Sequence, residues 1–133
     1  MHSTTGRALS AAVLVMLAAA CAPSQPQTSA GAPATKSLSA AAQQGQQLVA
    51  QKGCGGCHTV PGVAGATGNI GPSLAGVASR TTIAGGAVAN NGPADLQRWI
   101  VDPPAVKPGT QMPKLGLTDQ EAQQIVAYLE TLQ

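Results

Sequence analysis

Five consecutive residues carry the reactive chemistry of this sequence: Cys54, Gly55, Gly56, Cys57 and His58. Cys-x-x-Cys-His is the spacing through which c-type haem is attached. The two thiols add to the porphyrin vinyl groups, and the adjacent imidazole then lies beneath the ring, where it binds iron. Other chemistries for two close thiols fit worse. A structural zinc site needs four nitrogen or sulfur ligands, and after Met1 to Ala20 only Cys21, Cys54, Cys57 and His58 remain, with Cys21 on a separate stretch of chain. A thioredoxin-like pair belongs beside a βαβ unit, and no such pattern occurs. A plain disulfide leaves His58 without a role.

The second axial position follows by elimination. His2, Met1 and Met16 all fall in the first twenty residues, so His58 and Met112 are the only His and Met beyond them. Met112 sits in Lys107-Pro108-Gly109-Thr110-Gln111-Met112-Pro113. Pro108-Gly109 is a turn signal, and Pro113 stiffens the chain after the methionine. A lone Met between prolines, off any helical stripe, reads as an iron ligand rather than as a filler of core gaps. His/Met ligation favours Fe(II) and raises the reduction potential. With both axial positions closed, electron transfer suits the site better than oxygen chemistry.

Composition points the same way. Aromatic residues make up 2% of the 133 residues, with one Trp, one Tyr and no Phe. Domains of this size usually draw core bulk from several aromatics, so a large apolar group from outside the chain is expected at the centre. The formal net charge of +2 is too small for binding based on phosphate neutralisation, which argues against a nucleic-acid partner. No apolar run reaches the roughly 20 residues of a membrane span.

The elements that must position these groups are helical. Ala41, Gly45, Leu48, Val49 and Lys52 fall on one helical face that ends at Gly53, with Ser39 as a cap. Pro93 suits a first turn; Leu96, Trp99 and Ile100 share a face, and Pro103-Pro104 are expected to stop that helix. Thr118-x-x-Glu121 is a capping box, followed by the stripe Ala122, Ile125, Val126, Leu129 and Leu132. Thr59 to Asn91 shows little periodicity, and such a stretch is expected to wrap something. One or two helical turns fit Leu74 to Ser79; no alternating strand pattern is evident.

The N-terminal part reads as an address and a tether. Arg7 precedes the apolar run Ala8 to Ala20, which predicts an export signal over residues 1–20. Leu17-Ala18-Ala19-Ala20-Cys21 resembles a bacterial lipobox, with Ala18 where leucine is customary. It predicts a lipid anchor on Cys21; the alternative is ordinary cleavage after Ala20. Residues 21–37 would then be the anchor cysteine and a disordered tether rich in Pro, Ser, Gln and Ala, and residues 38–133 the folded domain.

Taken together, Cys54-x-x-Cys57-His58, Gly71-Pro72-x-Leu74, Trp99, Met112-Pro113 and Tyr128-Leu129 resemble class I cytochrome c. Ser79 to Ala84, Trp99-Ile100-x-Asp102-Pro103 and Lys107-Pro108-Gly109-x-x-Met112-Pro113 are most similar to the cytochrome c domain of subunit II of caa-type haem-copper oxidases. The resemblance implies an all-α fold of three main helices plus a long haem-wrapping loop, with one covalently bound haem c. It also implies individual roles. Pro72 offers its carbonyl to the Nδ1–H of His58, Trp99 Nε1–H reaches a haem propionate, and Arg80 meets a propionate as well. Gly45 and the Tyr128-Leu129 pair let the first and last helices cross closely, and Tyr128 is structural. In those oxidases the domain follows a membrane-anchored dinuclear-copper domain, whose place a lipid-bearing tether is expected to take here.

The function expected on these grounds is one-electron transfer, without bond making, on the outer, periplasmic or extracytoplasmic, face of a membrane. The partner is a membrane-bound redox protein: a terminal oxidase as acceptor or, alternatively, a dehydrogenase as donor. A haem peroxidase or ligand sensor needs an open iron and a distal acid–base residue, and no distal His is available. Beyond Ala20, six basic residues face five acidic ones, which is not a strongly basic steering surface. The small uncharged residues Gly53, Gly55, Gly56, Thr59 and Val60 are expected to form an apolar docking patch.

Overall fold

Capping chemistry sets where the helices begin. In the computed structural model, which describes residues 37–133, Ser39 Oγ accepts the Ala42 N–H at 3.2 Å and opens α1, Ala40–Gln51. Thr118 opens α4, Asp119–Leu129, with the full capping box. The Glu121 N–H donates to Thr118 Oγ1 at 3.2 Å, and the Thr118 N–H donates to Glu121 Oε2 at 2.9 Å. Between them lie α2, Pro93–Val101, and a single turn α3, Pro103–Val106. The expected export signal, the expected anchor at Cys21 and the expected tether through Lys36 lie outside the described residues. Among the described residues, no helix is long and apolar enough to cross a membrane.

One expectation holds with an addition, and one needs correction. Pro103 does end α2, but it also starts α3. Its missing N–H costs nothing in a first turn, and Asp102 Oδ1 caps that turn by accepting the Ala105 N–H at 3.3 Å. A small hairpin also occurs where no strand was expected: β1, Thr82–Ile83, pairs antiparallel with β2, Val88–Ala89. Two residues per strand are too few for alternation to show in a sequence. Ile83 and Val88, opposite each other in the ladder, are both buried. Within the expected wrapping segment, one helical turn is realised as a 3-10 turn at Val77–Ser79.

The core is centred on α1 against α4, with α2 packed on α4. From α4, Ala122, Ile125, Val126, Tyr128 and Leu129 are buried; from α1, Ala42, Gly45 and Val49. The inward face of α1 thus starts at Ala42, while Ala41 is exposed. Alanine is too small for its hydrophobicity to mark a face, so the α4 partner decides the rotation. Lys52 caps the edge of the interface with an ion pair to Glu121 at 2.7 Å. That ammonium and the hydrogen bonds of the capping box hold the Glu121 carboxyl below its ordinary range.

Gly45 makes the crossing possible. A Cβ placed there would lie 1.9 Å from the Gln124 carbonyl oxygen, a backbone atom that cannot step aside. Two helical backbones therefore touch at this point. Gly45→Val is expected to destabilise the domain by about 1–3 kcal/mol or more, the range of overpacked cores. Thermal unfolding of the haem-loaded protein measures it, and an unchanged midpoint would contradict the close crossing.

Candidate functional site

The chain leaves α1 through Gly53, in the left-handed region at φ 75°, and enters a 3-10 turn at Cys54–Gly56. The Cys57 and His58 N–H groups both donate to the Cys54 carbonyl, at 3.2 and 3.0 Å. One tight turn thereby presents both thiols and the imidazole together. Burial pushes the Cys54 thiol above its ordinary value.

Backbone hydrogen bonds fasten the following loop to this turn. The Gly68 N–H donates to Gly55 O at 3.0 Å, Gly71 N–H to Cys57 O at 2.8 Å and Leu74 N–H to Thr59 O at 2.8 Å. At the end of this clasp, His58 Nδ1 lies 2.7 Å from the Pro72 carbonyl oxygen. A carbonyl can only accept, so Nδ1 carries the proton and Nε2 keeps its lone pair free for a metal. Gly71 lies flat against the same ring: a Cβ there would fall 2.3 Å from His58 Cε1.

Met112 is held by a second turn. The Thr110 N–H donates to the Lys107 carbonyl at 3.1 Å across Pro108-Gly109, with Gly109 at φ 80°. Thr110 Oγ1 then accepts the Met112 N–H at 3.2 Å. The turn starts where α3 ends, since the Lys107 N–H donates back to Pro103 O at 2.9 Å.

Cys54, Cys57, His58, Pro72, Trp99 and Met112 all line one open-sided cleft, which encloses about 980 Å³ of space counting its mouth. Arg80 does not line it; it borders an adjoining crevice that shares Pro72, Ala84, Gly85 and Trp99 with the cleft. There one Arg80 amino group donates to the carbonyls of Ser73 and Ala75, the latter at 2.8 Å. Tyr128 is buried at 2% exposure, and its hydroxyl donates to the Pro61 carbonyl, joining α4 to the loop after the motif.

Residues 42–133 match the family model described as Cytochrome c. The chain belongs to the cytochrome c family. It is also 34% identical, over 92 residues, to the protein named cytochrome c oxidase subunit 2 of Alkalihalophilus pseudofirmus. That match covers 68% of this chain but 25% of the relative, so the chain spans about a quarter of the relative's length. A cytochrome c domain is a haem electron carrier with covalently bound haem c, and a single such domain accounts for one haem. The fold is accordingly the all-α cytochrome c fold.

The residues present fit that group. The cleft is open-sided, bears two thiols one turn apart, and offers an imidazole whose Nε2 is free and a thioether from a separate turn. The half-buried Trp99 indole also lines the cleft, and none of the hydrogen bonds among the described residues uses its N–H.

The structure adds residues that the sequence reading did not place. Ile70, 67% exposed, stands at the cleft edge as the large exposed hydrophobic of the described residues. An isoleucine amid Gly, Asn and Pro was the signal available for it. Val60, expected on a docking patch, is instead buried, its N–H bonded to Ala66 O at 3.0 Å. Its side chain joins the core, whereas Gly53, Gly56 and Thr59 are exposed as expected.

Proposed function

We propose that this cytochrome shuttles single electrons at the outer face of a membrane and donates to a terminal oxidase. In this reading Cys54 and Cys57 hold the haem through thioether bonds, and His58 and Met112 are its axial ligands. Bound there, the haem supplies the Fe(III)/Fe(II) couple. Pro72 fixes the His58 ring and raises its basicity; Trp99 and Arg80 are the candidate donors to the propionates. The observation that carries the ligand assignment is the convergence of His58 and Met112, on independent turns, in one cleft. The oxidase direction is supported by the relative, which is itself an oxidase subunit by name. Oxidation of the reduced protein by membranes, abolished by an oxidase inhibitor, tests it. Reduction by the membranes that persists under the inhibitor would instead indicate a dehydrogenase donor.

In this reading charge steering is not what brings the partners together, since three of the five cations among the described residues are paired with carboxylates. Each cation among the described residues is already engaged. Lys52, Arg98 and Lys114 pair with Glu121, Asp95 and Asp102 at 2.7, 3.1 and 2.6 Å. Arg80 and Lys107 donate to backbone carbonyls. With Ile70 exposed at the cleft edge, encounter rests on an apolar patch and on confinement by a lipid anchor at Cys21. If residues 22–37 behave as a flexible chain, their r.m.s. reach is roughly 20–25 Å, which would raise the effective concentration for a membrane-bound partner towards millimolar. Electron transfer to membranes is therefore expected to depend weakly on ionic strength. Cys21→Ser, once exported, is expected to yield a soluble protein with the same spectrum and much slower turnover. A steep salt dependence would establish charge steering instead.

A further inference from the structure

Lys107 is the remaining charged side chain that faces the cleft. Its Nζ donates to the Ala84 carbonyl at 2.9 Å, across 23 positions of sequence, and both residues line the cleft. This bond joins two segments that secondary structure does not otherwise connect. One is the tip of the β1–β2 hairpin, Ala84–Gly86. The other is the turn that carries Met112.

The hairpin tip is unusual in its backbone. Ala84, Gly85 and Gly86 have φ of 57°, 67° and 86°, and Ala84 is the one non-glycine residue with positive φ among the described residues. That region disfavours a side chain by roughly 1–2 kcal/mol in isolation, so an external contact is needed to hold Ala84 there. The ammonium supplies one, directed at the carbonyl of that same residue. The fit is close: a Cβ on Gly85 would stand 3.3 Å from Lys107 Nζ. Ile83 and Val88, both buried, anchor the base of the hairpin, and α3 anchors the turn on the other side.

We propose that Lys107 is a positioning residue, a clasp that locks the Met112 turn to the hairpin tip and so keeps the Met112 side of the cleft closed. It touches neither the sulfur nor the iron; it limits how often the turn swings away. A hydrogen bond from a charged donor is typically strong enough to shift an open–closed ratio by about tenfold to hundredfold. An added ligand reaches iron only when the Met112 turn opens, so its affinity reports the clasp directly. The inference rests on the reading of Met112 as an iron ligand for its consequence at the metal, but not for the clasp itself.

The test uses the full haem-loaded protein with Lys107→Met, Lys107→Gln and Lys107→Arg, and imidazole as the probe ligand for the oxidised form. Lys107→Met and Lys107→Gln are expected to bind imidazole at least about tenfold more tightly. They are also expected to speed amide hydrogen exchange at Gly85–Gly86 and at Thr110 and Met112 together, with exchange in α1 and α4 unchanged. Lys107→Arg, which keeps a charged donor, is expected to restore both values towards wild type. If one variant fails to fold, the other serves, and correlated opening of the two segments in the unmodified protein is a third measurement. Unchanged imidazole affinity with independent exchange of the two segments overturns the clasp. Faster joint exchange without any change in imidazole affinity would retain the clasp and refute Met112 as the ligand, so the two failures are distinguishable.

Discussion

Cells making Cys54→Ser together with Cys57→Ser are expected to yield no covalently attached haem and a domain that is unfolded or molten. Both thiols arise from one 3-10 turn and line the cleft, and no other cysteine lies among the described residues. The consequence for folding follows from what the chain lacks. Its buried side chains are mostly Ala, Val, Ile and Leu, with Tyr128 the one fully buried aromatic. A buried Val or Leu contributes about 1.5–3 kcal/mol, and a domain of this size ordinarily has several aromatics adding more. Much of the cleft wall is irregular chain, whose apolar face the haem would cover when bound. Far-UV circular dichroism and thermal unfolding of the haem-free variant measure the effect. Wild-type helicity with a cooperative transition would show that α1, α2 and α4 suffice on their own.

Met112→Ala is expected to lower the reduction potential by on the order of 0.1 V or more, within the roughly 0.8 V range that axial ligands span. It is also expected to admit CO to the reduced iron and cyanide to the oxidised iron. Lys107 and Lys114 stand nearby, Lys107 Nζ on the Ala84 carbonyl and Lys114 paired with Asp102 at 2.6 Å, so a lysine that breaks its contact to bind iron is the complication the spectrum must exclude. No second His or Met lies in the cleft. Potentiometric titration and the visible spectrum report the change. The wild-type protein is expected to show the weak charge-transfer absorption of a thioether–Fe(III) bond when oxidised, and the variant to lose it. A variant that kept the wild-type potential would remove Met112 from the iron. A high-spin spectrum of the wild-type protein would reopen the sensor and peroxidase readings.

Acid stability has a defined sign. Asp95, Asp102 and Glu121 all have their carboxyls held below the ordinary value. For Asp95 the first cause is the Asn91 backbone N–H; for Asp102 and Glu121 it is hydrogen bonding from Lys114 and Lys52. Depressed carboxyls contribute stability above their unfolded values and lose it as pH falls through the lowered ones. Weakening therefore sets in on the acid side of the ordinary carboxylate range, where the Lys52–Glu121 pair between α1 and α4 is neutralised.

The chemistry was legible in the sequence because it is local. Cys54, Cys57 and His58 are carried by one turn, so their spacing alone specifies their arrangement. Capping is equally local: Ser39 and Thr118 act on N–H groups three residues away. Met112 was reached by elimination, since a chain with so few His and Met offers no rival. Gly45 and Pro72 were placed by family resemblance, and the structure sets them at the helix crossing and on His58 Nδ1.

What tertiary structure decided was whatever depends on two distant segments meeting. The rotation of α1 that buries Ala42 and leaves Ala41 exposed is chosen by α4, because two adjacent alanines are alike as sequence. The hairpin at Thr82–Ala89 is too short to show a period, and its tip is held by a lysine 23 residues away. Val60 turns inward and Ile70 outward although both are β-branched and apolar. The difference is that Val60 donates its N–H to the Ala66 carbonyl beside the Thr59–Thr67 bridge, whereas Ile70 lies on the loop that carries Gly71 against the His58 ring. Hydrophobicity states what a side chain would gain by burial; only the packed chain states which side chains find a place.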